Sequence, residues 1–540
     1  MFYRGYSVLT TLARPEAVPV PRAPGAMADQ VEANAMRALN RDLPAMRISE
    51  RLADPAGYLR LQRARRQALE ALLPITPEKS AVSRAIDLVG MITEESSWSA
   101  NTVLQPFEDD NHPDIDFQCA ETAALLGWVR RSMGEALDAV SPRISNHMLS
   151  EVRRRVFAPF MAHGDYPFMR GRGARPLAIL CDILLAAILL ETDGNRRASV
   201  LKHGTRLLDQ AIAARKDLRI PLTDSIADIG AVTDISLLIK KITRGELDLT
   251  PVYPTPDWLD ELLFAWAEGD YFIDPAGESM RPDISGEELF RIGLAANDEA
   301  LTALGARIYN AHRRPSATVT GRILDLSCAG MLAAENRRPP RLKHAATAGN
   351  RLMVSRFSGM TFAMHSGGNR ANAGDIALFA GGKPVFVSLP EQTNLPSIAW
   401  NEQLAKPDLP CEADFEVRRD RELMSIDLTH AYPAASVIRS VQRTAMVLRN
   451  EGTLRIVDAF DLSEPGLVAF RFVTPEKIVS QPGFLQIGPI DFAWEGELTP
   501  NISLLPPTLE FPAGLNKLEL ITPAPITRAF FTFNAALREG

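Results

Sequence analysis

Several signatures are missing from this chain: no GxGxxG, P-loop, HExxH or GxSxG stretch occurs in its 540 residues. Dinucleotides and triphosphates are held by glycine loops whose backbone amides meet phosphate, and serine acyl chemistry needs its nucleophile on a tight turn. Both chemistries therefore lack a foothold. Cysteine is scarce. Cys119, Cys181, Cys328 and Cys411 are scattered without CxxC spacing and read as free thiols. Among the eight histidines, His112, His147, His203, His312, His344 and His430 show no ligand spacing. The most apolar run, Leu177–Leu190, is broken by Asp182 and falls short of the roughly 20 apolar residues that span a bilayer. The first 25 residues hold only a short, interrupted apolar run followed by Pro15, Pro19, Pro21 and Pro24, which is no export signal, so a cytoplasmic protein is expected. A net charge of −7 gives no reason to expect nucleic acid as partner.

What is present is ordinary globular composition, 46% apolar and 23% charged, in a chain too long for one hydrophobic core. Two or more domains are expected. In Asp114–Met161, Phe117, Ala120, Ala124 and Trp128 recur at helical spacing, and Met148, Val152, Val156 and Phe160 repeat the pattern. Ser141-Pro142 joins the two stretches into a helical hairpin. Arg153–Arg155 cover most of a helix circumference, so they read as a solvated face. Helical signals run from Ala26 onward, including a start at Thr76-Pro77-Glu78, and succeed one another through residues 321–335. Asn336-Arg337-Arg338-Pro339-Pro340 stops the last helix. From Arg351 the period falls to two, as in Thr444–Leu448, Leu454–Val457, Leu467–Val473 and Arg528–Phe533. The expected fold class is α then β. An irregular arm (1–25) precedes an incomplete α/α toroid (26–335), a linker (336–350) and an antiparallel β-sandwich (351–540).

The Glu95–Thr102 stretch ESSWSANT, the hairpin and its continuation to Leu190, FAMHSGGNRANAGDIALFAGGKPVFVSLP at Phe362–Pro390, and Met424–Leu462 together resemble the heparinase II/III-like proteins. These are polysaccharide lyases and their relatives. The resemblance covers most of the chain after about residue 80 and implies the same toroid-plus-sandwich plan. It also implies β-elimination next to a uronic acid, which needs a neutralised carboxylate, a base for the C5 proton and an acid for the departing oxygen.

The family's motifs are not matched here. Arg175-Pro176-Leu177-Ala178 stands where the resemblance implies an Asn–Trp helix start, and Thr223–Gly230 keeps Asp224 but has no tyrosine. Trp98 survives from the early motif, whereas the histidine beyond it corresponds to Asn101-Thr102. Gly368-Asn369-Arg370-Ala371-Asn372 lacks both histidines of the β-domain pattern, and with them a zinc site. No metal or cofactor is expected. The expectation is a lyase scaffold whose usual catalytic residues have been replaced.

Other residues remain to do chemistry. The loop His163–Arg175 carries Tyr166, Arg170 and Arg172, suited to an anionic glycan or equally to a solvated loop. His365 can replace a lost imidazole or simply end a strand. The expected catalytic set is Tyr166 and His365 for proton transfer and Arg370, or Arg172, for the carboxylate. Trp98, Arg170, Arg172, Asn369 and Trp400 are the expected substrate contacts. A non-catalytic glycan-binding scaffold is the alternative from another class, and a hydrolase using the Asp224/Asp228 pair is a lesser one. The expected partner is an anionic oligosaccharide or polysaccharide. The particular sugar and the oligomeric state are not encoded in any pattern found.

Overall fold

A computed structural model describes residues 1–20, 22, 27–44, 48–104, 115–162, 166–169, 175–215, 221–268, 271–273, 280–334, 345–348, 352–367, 372–389, 393–399, 401, 411–433 and 437–538. The chain divides into two compact units. One is helical (Met1–Leu218, Thr223–Trp258 and Ile284–Pro340) and the other is built of strands (Arg219–Leu222, Leu259–Asp283 and Arg341–Gly540).

The helical unit contains α1 (Phe2–Leu12), α2 (Ala28–Asn40), α3 (Ile48–Ala53), α4 (Pro55–Ala71), α5 (Lys79–Thr93), α6 (Ala100–Leu104), α7 (Phe117–Val140), α8 (Pro142–Val152) and α9 (Ala158–Ala162). It continues with α10 (Pro176–Leu190), α11 (Gly194–Arg215), α12 (Leu222–Ile242), α14 (Gly286–Ala296), α15 (Glu299–Ala311) and α16 (Val319–Ala334), while α13 (Pro256–Ala265) begins in it and passes at Leu259 into the strand unit. Local chemistry accounts for several of the starts. Asp54 and Asp116 accept backbone amides at the heads of α4 and α7, and Ser141 does so for α8, with Pro55 and Pro142 at the first helical position. The expected hairpin is α7 and α8, continued through a π-helical turn at Arg153–Phe157 into α9.

Three expectations are revised. Residues Phe2–Leu12 are helical rather than irregular, because the prolines begin only at Pro15 and end the helix instead of preventing it. Phe2 and Leu9 are buried, and Phe2 stacks on Tyr253 at 5.2 Å. The arginine triplet is not a bare solvated face. Arg153 pairs with Glu191, Arg154 and Arg155 pair with Glu151, and Arg155 lies 5.0 Å from the Trp98 ring. Within the segment taken as a linker, Ala345–Ala348 is a strand paired with Leu352–Phe357.

Every residue of α10 from Leu177 to Leu190 is buried. It packs on α7, where Gly127 leaves room for Leu189. The one charge in this run, Asp182, has its carboxyl pushed far above the usual range by desolvation, reinforced by Glu121.

In the strand unit an eight-stranded antiparallel sheet faces a five-stranded and a four-stranded sheet. Alternate residues from all three meet in one core. Met364, Leu378 and Phe386 come from the five-stranded sheet, Ile456 and Phe533 from the eight-stranded sheet, and Phe470 and Leu518 from the four-stranded sheet. The five-stranded sheet is buried on both faces. Its second face, through Val354, Ala363 and Phe379, packs against Ala267, Ile273 and Met280. Residues 259–283 thus belong with the strands, although their sequence reads as a continuation of the helices.

A fully buried ion pair ties this unit together. Arg443 donates to both carboxylate oxygens of Asp458 at 2.6 Å and to the carbonyls of Gly374 and Asn394 at 2.9 and 2.5 Å. Its partners lie on three separate segments. Asp458→Ala would leave that guanidinium buried and uncompensated. The expected cost is about 3–5 kcal/mol, read as a lower denaturation midpoint for the strand unit, and a loss below about 1 kcal/mol would show the pair to be dispensable.

Candidate functional site

The helical unit encloses a cleft of about 990 Å³ whose walls come from α2, α4, α7, α12, α14, α15 and α16, with Arg175 at the head of α10. Eight arginines line it: Arg37, Arg41, Arg63, Arg66, Arg175, Arg313, Arg314 and Arg322. They fall into two groups with different work.

The inner group is committed to carboxylates. Arg322 forks onto Glu70 at 2.8 and 2.9 Å, reaches Glu121 at 3.1 Å, and donates to the carbonyls of Ser316 and Ala317. Arg66 holds Glu95 at 2.8 Å and Thr122 at 2.7 Å. Arg175 pairs with Asp224 and lies 5.0 Å from the Phe117 ring. Its backbone is left-handed, φ 48°, immediately before Pro176, where the helical region is sterically disfavoured. The surrounding structure holds it there, at the mouth of α10 and on the cleft wall.

The outer group is exposed. Arg37, Arg41, Arg63 and Arg313 have no carboxylate partner among the described residues. Arg313 lies 5.0 Å from the ring of Tyr309, four residues earlier in the chain. A polar acceptor adds to this lining: the buried Oε1 of Gln118 has no hydrogen-bond partner among the described residues. Guanidinium groups facing solvent in a cleft bind carboxylates and sulfates in two-point fashion.

Carboxyl groups line and underlie the same walls. Glu287, on the wall, is buried and accepts from Ser285 Oγ at 3.2 Å. Desolvation first, and then the charge of Asp325, push it up to about 7. Glu288 sits behind it in room left by Gly230, and desolvation raises it to about 8 against the opposing pull of Arg291. Arg291 itself bridges Asp234 at 3.0 Å and Asp325. Among the described residues no group of three His, Cys, Asp or Glu is placed to hold a metal ion. No described helix is long and apolar enough to cross a membrane.

Few of the residues singled out from sequence reach this cleft. Tyr166 is 4% exposed and does not line it. Its hydroxyl donates to the Phe160 carbonyl and meets His203 Nε2 at 2.8 Å, and burial pushes its pKa up to about 12. Trp98 is 1% exposed, with its indole N–H on the Ile92 carbonyl at 2.8 Å, which removes it from any sugar-stacking surface. His365 is buried at the end of Met360–His365 in the strand unit. Arg170, Arg172, Asn369, Arg370 and Trp400 lie outside the described residues. Of the paired aspartates, Asp224 faces the cleft, whereas Asp228 is fully buried and accepts the Ala178 amide at 2.9 Å. One turn apart on a helix, they point into different environments, so they do not form a facing carboxylate pair.

Arg63, Arg313, Tyr309 and Glu287 were missed by motif comparison. The signals were the arginine-dense run Arg60–Arg66 and the Tyr309/Arg313 spacing. Glu287 was hidden because Ser285-Gly286-Glu287-Glu288 reads as a helix cap, which it also is: the Glu288 amide donates to Ser285 Oγ at 3.2 Å.

Comparison with solved structures places the whole chain on one known fold. The match covers 100% of this chain and 90% of a heparinase III structure, at TM-score 0.57 and 9% identity. The whole chain also superposes on 88% of heparan sulfate lyase HepC from Pedobacter heparinus at TM-score 0.57 and 10% identity. Against the Streptomyces coelicolor A3 chondroitin AC lyase in complex with chondroitin sulphate, 95% of the chain matches 83% of the lyase, at TM-score 0.54 and 12% identity. No family model matches the sequence, and no curated protein matches it. The chain therefore has a heparinase- and polysaccharide-lyase-like fold, and identities this low establish the fold alone.

The raised carboxyls predict how stability follows pH. Glu287, Glu288 and Asp228, the last raised to about 7 chiefly by desolvation, bind protons in the folded state that the unfolded chain releases near pH 4.5. Their contribution is complete below that pH and is lost as pH rises through 7 and 8. The helical unit's melting temperature should fall by several degrees between pH 5 and pH 8.5, and Glu288→Gln should flatten the decline. Calorimetry that finds no decline, or the same decline in Glu288→Gln, would contradict these assignments.

Proposed function

We propose that this chain is a carbohydrate-active protein on a polysaccharide-lyase scaffold, with its helical unit in the role of the lyases' incomplete α/α toroid. Its cleft holds an anionic, uronate-containing glycan. The observation that carries the reading is the outer group of cleft arginines, Arg37, Arg41, Arg63 and Arg313, exposed and without carboxylate partners among the described residues. Charges held apart from counter-charges in a concave site attract a polyanion and lose little on binding, since no internal ion pair has to be broken.

The cleft is also rewired relative to what the family resemblance implies. Arg175 occupies the position of the expected amide and is paired with Asp224, so that end of the site is already neutralised from within. The substrate carboxylate is then met by the outer arginines. A non-catalytic glycan-binding protein remains the second reading, favoured by the burial of Tyr166 and Trp98.

Binding is the direct test. Heparan-sulfate and chondroitin-sulfate oligosaccharides should bind in calorimetry, a neutral glucan should not, and affinity should fall as salt is raised. Arg63→Ala with Arg313→Ala should weaken binding by at least about tenfold, or about 1.4 kcal/mol. Binding that ignores both substitutions, or no binding to any polyanion, would refute the assignment.

A further inference from the structure

Glu287 and Tyr309 share a wall of the cleft because two helices touch there without side chains between them. A Cβ on Gly286 would lie 2.3 Å from the Tyr309 nitrogen, and one on Gly305 would lie 2.4 Å from the Phe290 nitrogen. Helices α14 and α15 therefore meet backbone to backbone, and no larger residue fits at either point. This contact fixes α14 against α15, and Glu287, next after Gly286, lines the same cavity as Tyr309. Arg313 follows on the same wall with its guanidinium 5.0 Å from the tyrosine ring. The result is one protonatable carboxyl and one exposed cation in a concave site, the carboxyl held on the rigid backbone of α14 and the cation two residues past the end of α15 at Ala311.

The surroundings of Glu287 suit it to proton transfer. Asp325 of α16 faces it, Arg291 lies a turn further along its own helix, and Ser285 caps one carboxylate oxygen. A buried carboxyl raised to about 7 exists in both protonation states near neutral pH. Such a group can take a proton and return it within one turnover.

Resting on the reading that the cleft holds a uronate-containing glycan, we propose that Glu287 is the catalytic acid–base of a β-elimination and that Arg313 holds the uronate carboxylate. The Glu287 carboxylate takes the C5 proton. The C5–H electron pair becomes the C4–C5 double bond, the C4–O4 bond breaks, and its electrons leave with O4. Protonated Glu287 then delivers its proton to that oxygen. One chain becomes two, one ending in an unsaturated uronate and the other in a hydroxyl, and no oxidant, reductant or co-reactant enters. Arg313 acidifies C5–H by countering the charge that gathers on the carboxylate as the proton leaves.

The experiment uses the full chain, a panel of heparan-sulfate, chondroitin-sulfate and polyglucuronate oligosaccharides, near-ultraviolet absorbance for the unsaturated product, and calorimetry for binding. The expected result is product formation by the wild type. Glu287→Gln should lower kcat by about 10²–10⁴-fold, with the dissociation constant held within about threefold. The limb of the pH–rate profile near neutrality should vanish in that variant. Should Glu287→Gln fail to fold, Arg313→Ala at an exposed position carries the test, with kcat/KM expected to drop at least about tenfold. Binding without unsaturated product, new reducing ends without that absorbance, or full activity in Glu287→Gln would each overturn the inference while leaving the glycan-binding reading intact. Absence of binding to the whole panel would remove both.

Discussion

The helical unit depends on how it disposes of buried charge, and Arg322 is the centre of that arrangement. One guanidinium from α16 satisfies Glu70 of α4 and Glu121 of α7, joining helices from distant parts of the sequence at the floor of the cleft. Desolvation would raise Glu70 far more without this partner, and the arginine opposes it. Arg291 does the same for Asp234 and Asp325. These links stand where a purely apolar core would have closed the space, so they keep a polar cavity open inside a domain that is otherwise packed with leucine, isoleucine and alanine.

With these arginines spent internally, the outer ones acquire meaning. A cleft with every cation paired would offer a polyanion nothing, and a cleft with none paired would repel itself apart. Here the inner pairs fix the walls and the outer guanidinium groups remain exposed. The carboxyls left without a cation of their own, Glu287 and Glu288, respond by holding their protons to higher pH. Structural charge balance and candidate chemistry are thus the same arrangement seen at two depths.

The strand unit answers the same problem differently. Arg443 and Asp458 neutralise one another with no exposure, and Arg443 spends its remaining donors on two backbone carbonyls. Asp375, raised to about 6 by desolvation, is met by Ser388, Asn394 and two amides rather than by a cation. The pair locks chain segments together.

The sequence by itself determined the succession of helices followed by strands and the limits of several of the helices. Periods of 3.6 and 2, the Ser141-Pro142 helix start and breaks at proline are local properties, legible in a window of a few residues. That is why the hairpin, the long buried α10 and the alternating strands stand where they were expected. Only the tertiary structure decided which side chains meet. Tyr166 and Trp98 carried the right chemistry in the right neighbourhood, but packing turned both inward. Arg63 and the group Glu287, Tyr309 and Arg313, more than 200 positions further along the chain, converge on one cavity. Burial and long-range proximity set both the charge state of a carboxyl and the availability of an arginine, and neither quantity exists until distant helices have packed.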